Sequence, residues 1–271
     1  MSYEDLRLER HGQVAVLTLS RPKALNALRA QTVAEFNAAI DELERDREVK
    51  VVVLGAEGER AFSSGIDMIN DPAPEDTMDT DRIAVRNAAM MQRLWYLDKV
   101  LITAVRGVAL AAGCNLALIG DLTVCGENAS FGEPEIRHGT LSPLLLLPWL
   151  TQFKAMNHMY LTGDSVSAQE AHRLGLVNSV VPDDQVDAAA LKLAQRIANA
   201  PMLTLQTLKR SVRMMYDTQG FRGLQAGHRF ADTLVLDSTG VPERDRLRKI
   251  RAEQGLRAFV EARDAPYRDE A

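Results

Sequence analysis

Two short stretches rich in small residues could aim backbone donors at a single oxygen. The first, A-F-S-S-G-I-D at residues 61–67, follows the apolar run V-V-V-L at residues 51–54. The second lies inside R-G-V-A-L-A-A-G-C-N-L-A-L-I-G-D-L-T-V-C-G-E-N-A-S-F-G-E-P-E at residues 106–135, after the apolar run at residues 100–105. Small side chains at Ala109, Ala111, Ala112 and Gly113 let a ligand approach the main chain where a helix begins and its first N–H groups lack partners. Two such donors on one oxygen would stabilise an oxyanion, and losing one typically costs an enzyme about 2.7–4 kcal/mol. A tight strand-to-helix turn that needs small residues only for packing explains the second stretch equally well. Nearby carboxylates could move protons. Glu133 and Glu135 would share a face of an extended strand, although Pro134 between them argues against a regular pleat. Asp67 ends the first turn and reads as a cap for the next helix.

The elements that must hold these turns are legible in the hydropathy pattern. Residues 14–19, 51–54, 100–105 and 122–125 are short, apolar and partly β-branched, as buried strands are. Residues 107–113 read as a turn, with a helix-length apolar run from there to Gly120. Arg21-Pro22 breaks the first strand, and a helix is expected over residues 32–45. Residues 67–81, acidic and proline-bearing, read as a surface loop. A helix over residues 83–97 would set Met90, Met91, Leu94 and Trp95 on one apolar face. Helices are expected at residues 154–162 and 167–174, the second opened by Ser167 with Glu170 completing a capping box, and a strand at residues 176–181 ends at Pro182. From Asp184 the chain is mostly helical. A boundary near residue 200 divides a core, residues 1–200, from a helical region, residues 201–271, too thin in apolar residues to stand alone. Leu203, Leu205, Leu208 and Val212 of that region should cover the core or meet another subunit.

Composition sets outer limits. The chain has 271 residues, 46% hydrophobic and 25% charged, as soluble globular enzymes do. Lys+Arg number 32 against Asp+Glu 37, and the net charge of −5 gives no reason to expect a nucleic-acid partner. The charged N-terminus lacks an apolar signal region and no apolar run has membrane-spanning length, so a cytoplasmic address without a membrane partner is the expectation. Cys114 and Cys125 lie in apolar segments and should be buried and reduced. The five His residues are scattered, and no metal site is expected.

In order along the chain, V-A-V-L-T-L-S-R-P-K-A-L-N-A-L, V-V-V-L, F-S-S-G-I-D, G-V-A-L-A-A-G-C-N-L-A, G-D-L-T-V-C, F-G-E-P-E-I, L-T-G-D-S-V-S-A-Q-E-A-H-R-L-G-L-V-N-S-V-V-P and A-F-V-E-A-R resemble the crotonase superfamily, the enoyl-CoA hydratase/isomerase family. The resemblance implies an α/β fold, a crotonase-like spiral of ββα units with a C-terminal helical trimerisation region. It implies a homotrimer or dimer of trimers acting on an acyl-CoA thioester, with coenzyme A as part of the substrate and no separate cofactor. Residues 1–200 would bind the thioester and hold the active site, and residues 201–271 would serve oligomerisation and cover the pocket. The Ile66 and Ala112 N–H groups would form the oxyanion hole. Glu135 and Asn115 stand at the two positions where hydratases of the family carry glutamates. Contacts to coenzyme A are implied for Lys23, Leu25, Ala61, Ser64, Asp67 and Arg263, and an acyl pocket for Met68, Trp95, Leu144 and Phe259.

Departures from the family pattern shape the expected reaction. Ala112 replaces the middle glycine of the usual G-G-G, which a backbone donor tolerates if its Cβ fits. Asn115 can orient water but cannot exchange a proton. With Glu135 as the single acid/base, migration of a double bond is expected ahead of hydration. The alternatives are hydration with Asn115 positioning water, another thioester reaction such as hydrolysis or decarboxylation, or a non-catalytic protein that binds coenzyme A. Glu135 is followed by I-R-H-G-T-L-S-P-L-L-L-L-P-W-L where the family is usually glycine-rich, a segment that fits a buried helix or subunit contact better than a reshaped pocket wall. A basic stretch at residues 242–251, with Arg244, Arg246, Arg248, Lys249 and Arg251, looks inserted; a solvated helix is the plainer reading and a phosphate contact the sharper one.

Overall fold

The computed structural model describes residues 3–70 and 75–268. Among the described residues ten strands form two sheets: β1 (Leu6–His11), β2 (Val14–Leu19), β3 (Val51–Ala56), β4 (Ala61–Ser63), β5 (Val100–Val105), β6 (Val108–Leu110), β7 (Leu122–Gly126), β8 (Ser130–Gly132), β9 (Ser165–Ser167) and β10 (Ser179–Val181). The larger sheet runs β1-β2-β3-β5-β7-β10 and the smaller β4-β6-β8-β9. The β1/β2 and β8/β9 pairs are antiparallel and the other pairs of these strands parallel. From β3 to β8 successive strands alternate between the sheets, with β3 and β4 followed by helix α2 and β5 and β6 by α3, a spiral of ββα turns.

Periodicity explains the layers. β3 is buried along its whole length, as a central parallel strand must be. Val52 and Leu54 face the main core with Phe62 and Phe131, while Val51 and Val53 face a second cluster with Ile102 and Val124. Helix α1 (Ala30–Arg45) buries Val33, Phe36, Ile40 and Leu43 against the main core. Three short helices, α4 (Leu147–Leu150), α5 (Phe153–Thr162) and α6 (Ala168–Arg173), carry the chain to β10. Helix α7 (Val186–Ala198) covers the second cluster with Val186, Ala190, Ala194 and Ala198, a small-residue stripe one turn apart that lets it lie close on the sheet. Three helices close the chain: α8 (Met202–Thr218), α9 (Phe221–Asp237) and α10 (Pro242–Asp264).

Several expectations are corrected. Residues 108–110, read as turn, form β6, because β4 and β8 offer it parallel partners that no local pattern reveals. Helix α3 is short, Ala112–Leu118. The acidic loop ends early: α2 spans Thr77–Trp95, with the Asp76 side chain accepting from Asp79 N at 2.8 Å, while residues 71–74 lie outside the described residues. Ser167 caps α6 as expected, accepting from Glu170 N.

Trp95 belongs to the core, not to a pocket. It stacks on Phe221 with ring centroids 4.7 Å apart, and the Arg213 guanidinium lies 3.5 Å above its ring. Arg213 also donates to Trp95 O, and together with Lys209 it pairs with Asp121, which docks α8 on the spiral. Leu203 and Leu208 remain exposed on the outer face of α8. Leu144, Leu146 and Leu147 are fully buried, and Trp149 joins the Phe221 cluster, so the leucine segment is core.

Candidate active site

The two small-residue turns meet where β4 and β6 end. A Cβ placed on Gly65 would lie 3.4 Å from Ala112 N, and one on Gly113 only 2.2 Å from Ser63 O, so glycine alone lets these segments touch. Gly65 adopts φ +95°. The first turn is pinned by Ser64 N donating to Leu25 O, Leu28 N to Gly65 O and Asp67 N to Leu28 O. Among the described residues no backbone oxygen accepts the Ile66 N–H, and Ala112 opens α3, where an N–H has no intrahelical acceptor. Ile66 and Ala112 line one cavity of about 540 Å³. The Ala112 Cβ fits without a left-handed backbone; strain falls instead on Ala111, held at φ +56° by its N–H bond to Gly132 O.

Glu135 lines the same cavity from a short 3-10 turn, Pro134–His138. It is 6% exposed, and its carboxylate oxygens meet no donor other than the neighbouring Glu133 carboxyl. Burial, assisted by the Asp232 charge, pushes its pKa up to about 7. Asp232, from α9, lines the cavity as well. It is 5% exposed, its Oδ1 is partnerless, and burial raises it to about 7. Glu133 is different. Burial, and then Glu135, drive its pKa up, and its Oε1 accepts from Asn115 Nδ2 at 2.7 Å.

Asn115 does not line the cavity. It is buried behind the site, where its Oδ1 accepts from Ser142 Oγ at 3.0 Å and from Leu144 N at 3.1 Å. Three of its four hydrogen-bonding directions serve the scaffold, and it stands outside the cavity that Glu135 lines. Gln225 grips both backbone groups of Leu145, and His228 bonds Ser142 O at 2.6 Å, so α9 latches the same segment.

Of the residues marked by resemblance, Ser64, Asp67, Met68, Phe259 and Arg263 line the cavity with Ile66, Ala112 and Glu135. Lys23, Leu25, Ala61, Trp95, Leu144 and Asn115 do not. Lys23 is exposed on the Pro22–Ala24 turn; Leu25 ends that turn at φ +52°; Ala61 is buried in β4, its carbonyl bonded to Asn26 Nδ2. Leu141 and Pro143 take the wall position expected of Leu144. Asp67 is a tie. Burial works to raise its pKa, but bonds from Asn70, Ile69 and Arg21 outweigh that and hold it near 2. Phe259 packs edge-on against His138, whose burial, beside Arg263, lowers its pKa to about 4. Arg263 pairs with Asp264.

The basic stretch also reaches the cavity. Helix α10 breaks at Gly255 (φ +84°, ψ 178°); the part before the break lines the cavity with Arg244, Leu247, Arg248 and Arg251, the part after it with Phe259 and Arg263. Sequence reasoning missed Asp232. Its signal is the buried stripe of α9, which carries Gln225, His228 and Asp232 at one-turn spacing where a packing helix would carry apolar residues. Among the described residues no group of three or more His, Cys, Asp and Glu could hold a metal ion, and no helix is long and apolar enough to cross a membrane.

A family model described as enoyl-CoA hydratase/isomerase matches residues 9–270. The chain belongs to the enoyl-CoA hydratase/isomerase family. It is 35% identical to a short-chain-enoyl-CoA hydratase of Clostridium acetobutylicum, over 80% of this chain and 86% of the relative. It is 34% identical to a carnitinyl-CoA dehydratase of Salmonella heidelberg, over 98% of each. Among solved structures, an enoyl-CoA hydratase/isomerase from Xanthobacter autotrophicus Py2 superposes with a TM-score of 0.93 at 33% identity, covering 99% of this chain and 100% of that one. The ββα spiral is thus the crotonase fold, and the protein is an enzyme of this family whose substrates are thioesters of coenzyme A.

Proposed function

We propose that this family member hydrates a 2-enoyl-CoA, or dehydrates the corresponding 3-hydroxyacyl-CoA, with Glu135 and Asp232 as its proton-transfer pair. The observation that carries this is the pair of buried carboxyl groups, Glu135 and Asp232, lining one cavity with the Ile66 and Ala112 N–H groups. The N–H groups take the thioester oxygen and hold the negative charge that develops on it as the enolate forms. Asp232 receives a proton from water as its oxygen bonds to C3, and Glu135 delivers a proton to C2. Values near 7 for both groups suit this division, since near neutrality one can hold the proton while the other is free to accept it. The preference for double-bond migration rested on counting one base at the site; Asp232 supplies a second from α9, and the names of the hydratase and dehydratase relatives agree with the hydro-lyase direction.

Isomerisation of a 3-enoyl-CoA is the second reading, favoured by the replacement at position 115: Glu135 alone can carry a proton from C2 to C4. The test is a paired assay on 2-enoyl- and 3-enoyl-CoA with wild type, Glu135→Gln and Asp232→Asn. Glu135→Gln should lose about 100- to 10,000-fold in both reactions. Asp232→Asn should lose a similar factor in hydration only. Full hydration by Asp232→Asn would remove it from the pair, and faster turnover of the 3-enoyl substrate by wild type would put isomerisation first. Self-association into trimers is part of the proposal, supported by Leu203, 74% exposed, and by Leu208, Phe230 and Leu234 on the outer faces of α8 and α9; the mass in solution tests it.

A further inference from the structure

We infer that the cavity wall built by α9 and α10 binds a carboxylate carried at the far end of the acyl chain, through the Nε and Nη2 donors of Arg244. The inference rests on the enoyl-CoA reading of the site and narrows its substrate to thioesters of dicarboxylic acids. Arg244 lines the cavity, yet it is only 3% exposed. Its Nη1 donates to Val235 O, whereas Nε and Nη2 are buried without any partner. A guanidinium cannot shed its charge, and buried charge-assisted donors left unmade cost more than neutral ones. Arg248, which donates to Leu236 O at 2.9 Å, and Arg251 line the same wall, and among the described residues none of the three forms an ion pair. Burial, and then Arg248, act to lower the Arg244 pKa, with Asp245 and Asp237 acting the other way.

The free edge selects the kind of anion. Nε–H and Nη2–H point the same way from one side of the guanidinium plane, the arrangement that takes both oxygens of a carboxylate in two parallel bonds. Position selects its source. Arg244 lies against the segment after Glu135: a Cβ at Gly139 would be 3.4 Å from Arg244 Cδ. It is not on the β4 turn, where Arg21 ties to Asp67 beside the exposed Lys23. Arg248 and Arg251 are exposed, so a phosphate of coenzyme A would meet them at the solvated rim and not at the buried edge of Arg244. A single carboxylate on the acyl chain matches both the charge and the burial.

The probes are saturated thioesters, which bind without turnover: glutaryl-, adipyl- and pimelyl-CoA, each compared by calorimetry with its terminal methyl ester and with free coenzyme A. For the best-fitting chain, wild type should prefer the acid over its ester by about tenfold or more, as expected for charge-assisted hydrogen bonds. Arg244→Gln should erase that preference and leave ester affinity unchanged; Arg244→Lys, which keeps charge but not the fork, should fall between. Equal affinity of wild type for acid and ester at every length overturns the inference. So does an Arg244→Gln protein that binds free coenzyme A and both tails more weakly by one factor, which would assign Arg244 to a phosphate. If Arg244→Gln fails to fold, the wild-type comparison decides alone. Failure of wild type to bind any thioester, esters included, would instead remove the enoyl-CoA reading and this inference with it.

Discussion

Gly113→Ala offers a direct probe of how the paired N–H groups are held. The added methyl carbon would lie 2.2 Å from Ser63 O, 2.8 Å from Ser63 C and 2.9 Å from Ser63 Cβ, where ordinary contact begins at 3.4 Å. All three atoms belong to the end of β4, so no flexible side chain can swing away, and β4 and α3 must separate by roughly 1 Å. Ile66 leaves one of these segments and Ala112 opens the other, so the separation widens the gap between the two donors. A misplacement of about 1 Å at a reacting centre can cost about 100-fold in rate. Overpacking of this kind also costs about 1–3 kcal/mol of stability, a fall of several degrees in Tm for a chain of this size. Steady-state kinetics on a 2-enoyl-CoA should show kcat reduced by roughly 100-fold, with KM changed far less, because the donors act mainly on the charge of the transition state. Gly227→Ala is the control. It lies in α9 with nothing within 4 Å of the new Cβ, so it should stabilise the protein by up to about 1 kcal/mol and leave kcat alone. Should Gly113→Ala prove too unstable, Gly65→Ala is the second variant: its Cβ intrudes less, 3.0 Å from Leu110 O, but adds backbone strain at φ +95°, with the same expected sign. A folded Gly113→Ala enzyme with kcat within a few-fold of wild type would refute the view that contact between β4 and α3 sets the donor geometry.

Burial and hydrogen bonding lead to three further outcomes. Asp232 has a folded pKa near 7 against an ordinary 3.8, so it is most compatible with the fold when protonated, and stability is lost as pH rises through that interval; above neutrality the penalty is about 3–4 kcal/mol. Thermal melts of Asp232→Asn should therefore exceed wild type at about pH 8 and converge with it toward about pH 4, and a gain independent of pH would contradict the assigned cause. Asn115→Ala leaves Glu133 Oε1, Ser142 Oγ and Leu144 N without their shared partner, which should cost about 1–3 kcal/mol for each buried group left unpaired; chemical denaturation measures it, and a neutral result would put Asn115 back in contention as a catalytic group. Trp95→Ala should cost about 3–5 kcal/mol in the same measurement while leaving the ranking of acyl chain lengths unchanged; an altered ranking would return Trp95 to the pocket wall.

The sequence by itself determined what local pattern and composition can carry. The buried strands at residues 14–19, 51–54 and 100–105 announce themselves because a central parallel strand must be apolar on both faces, and the order of motifs along the chain names the family. Glu135 and the two small-residue turns were legible for the same reason: each requirement falls on a few adjacent residues. Tertiary structure decided everything that depends on which distant segment arrives. β6 exists only because β4 and β8 flank it, so its three residues read as turn. Trp95 and Leu144 carry side chains equally suited to a pocket or a core, and only the docking of α8 and α9 assigns them to the core. Asn115 stands where a catalytic residue was expected, but hydrogen bonds from residues 142 and 144 turn it to the scaffold. Asp232 and Arg244 lie roughly a hundred residues beyond Glu135, and apart from the polar stripe of α9 that carries Asp232 nothing local distinguishes them from surface charges. Folding of α9 and α10 over the site takes water away from them, and that loss of solvent is what raises one carboxyl and leaves two donors of one guanidinium without partners.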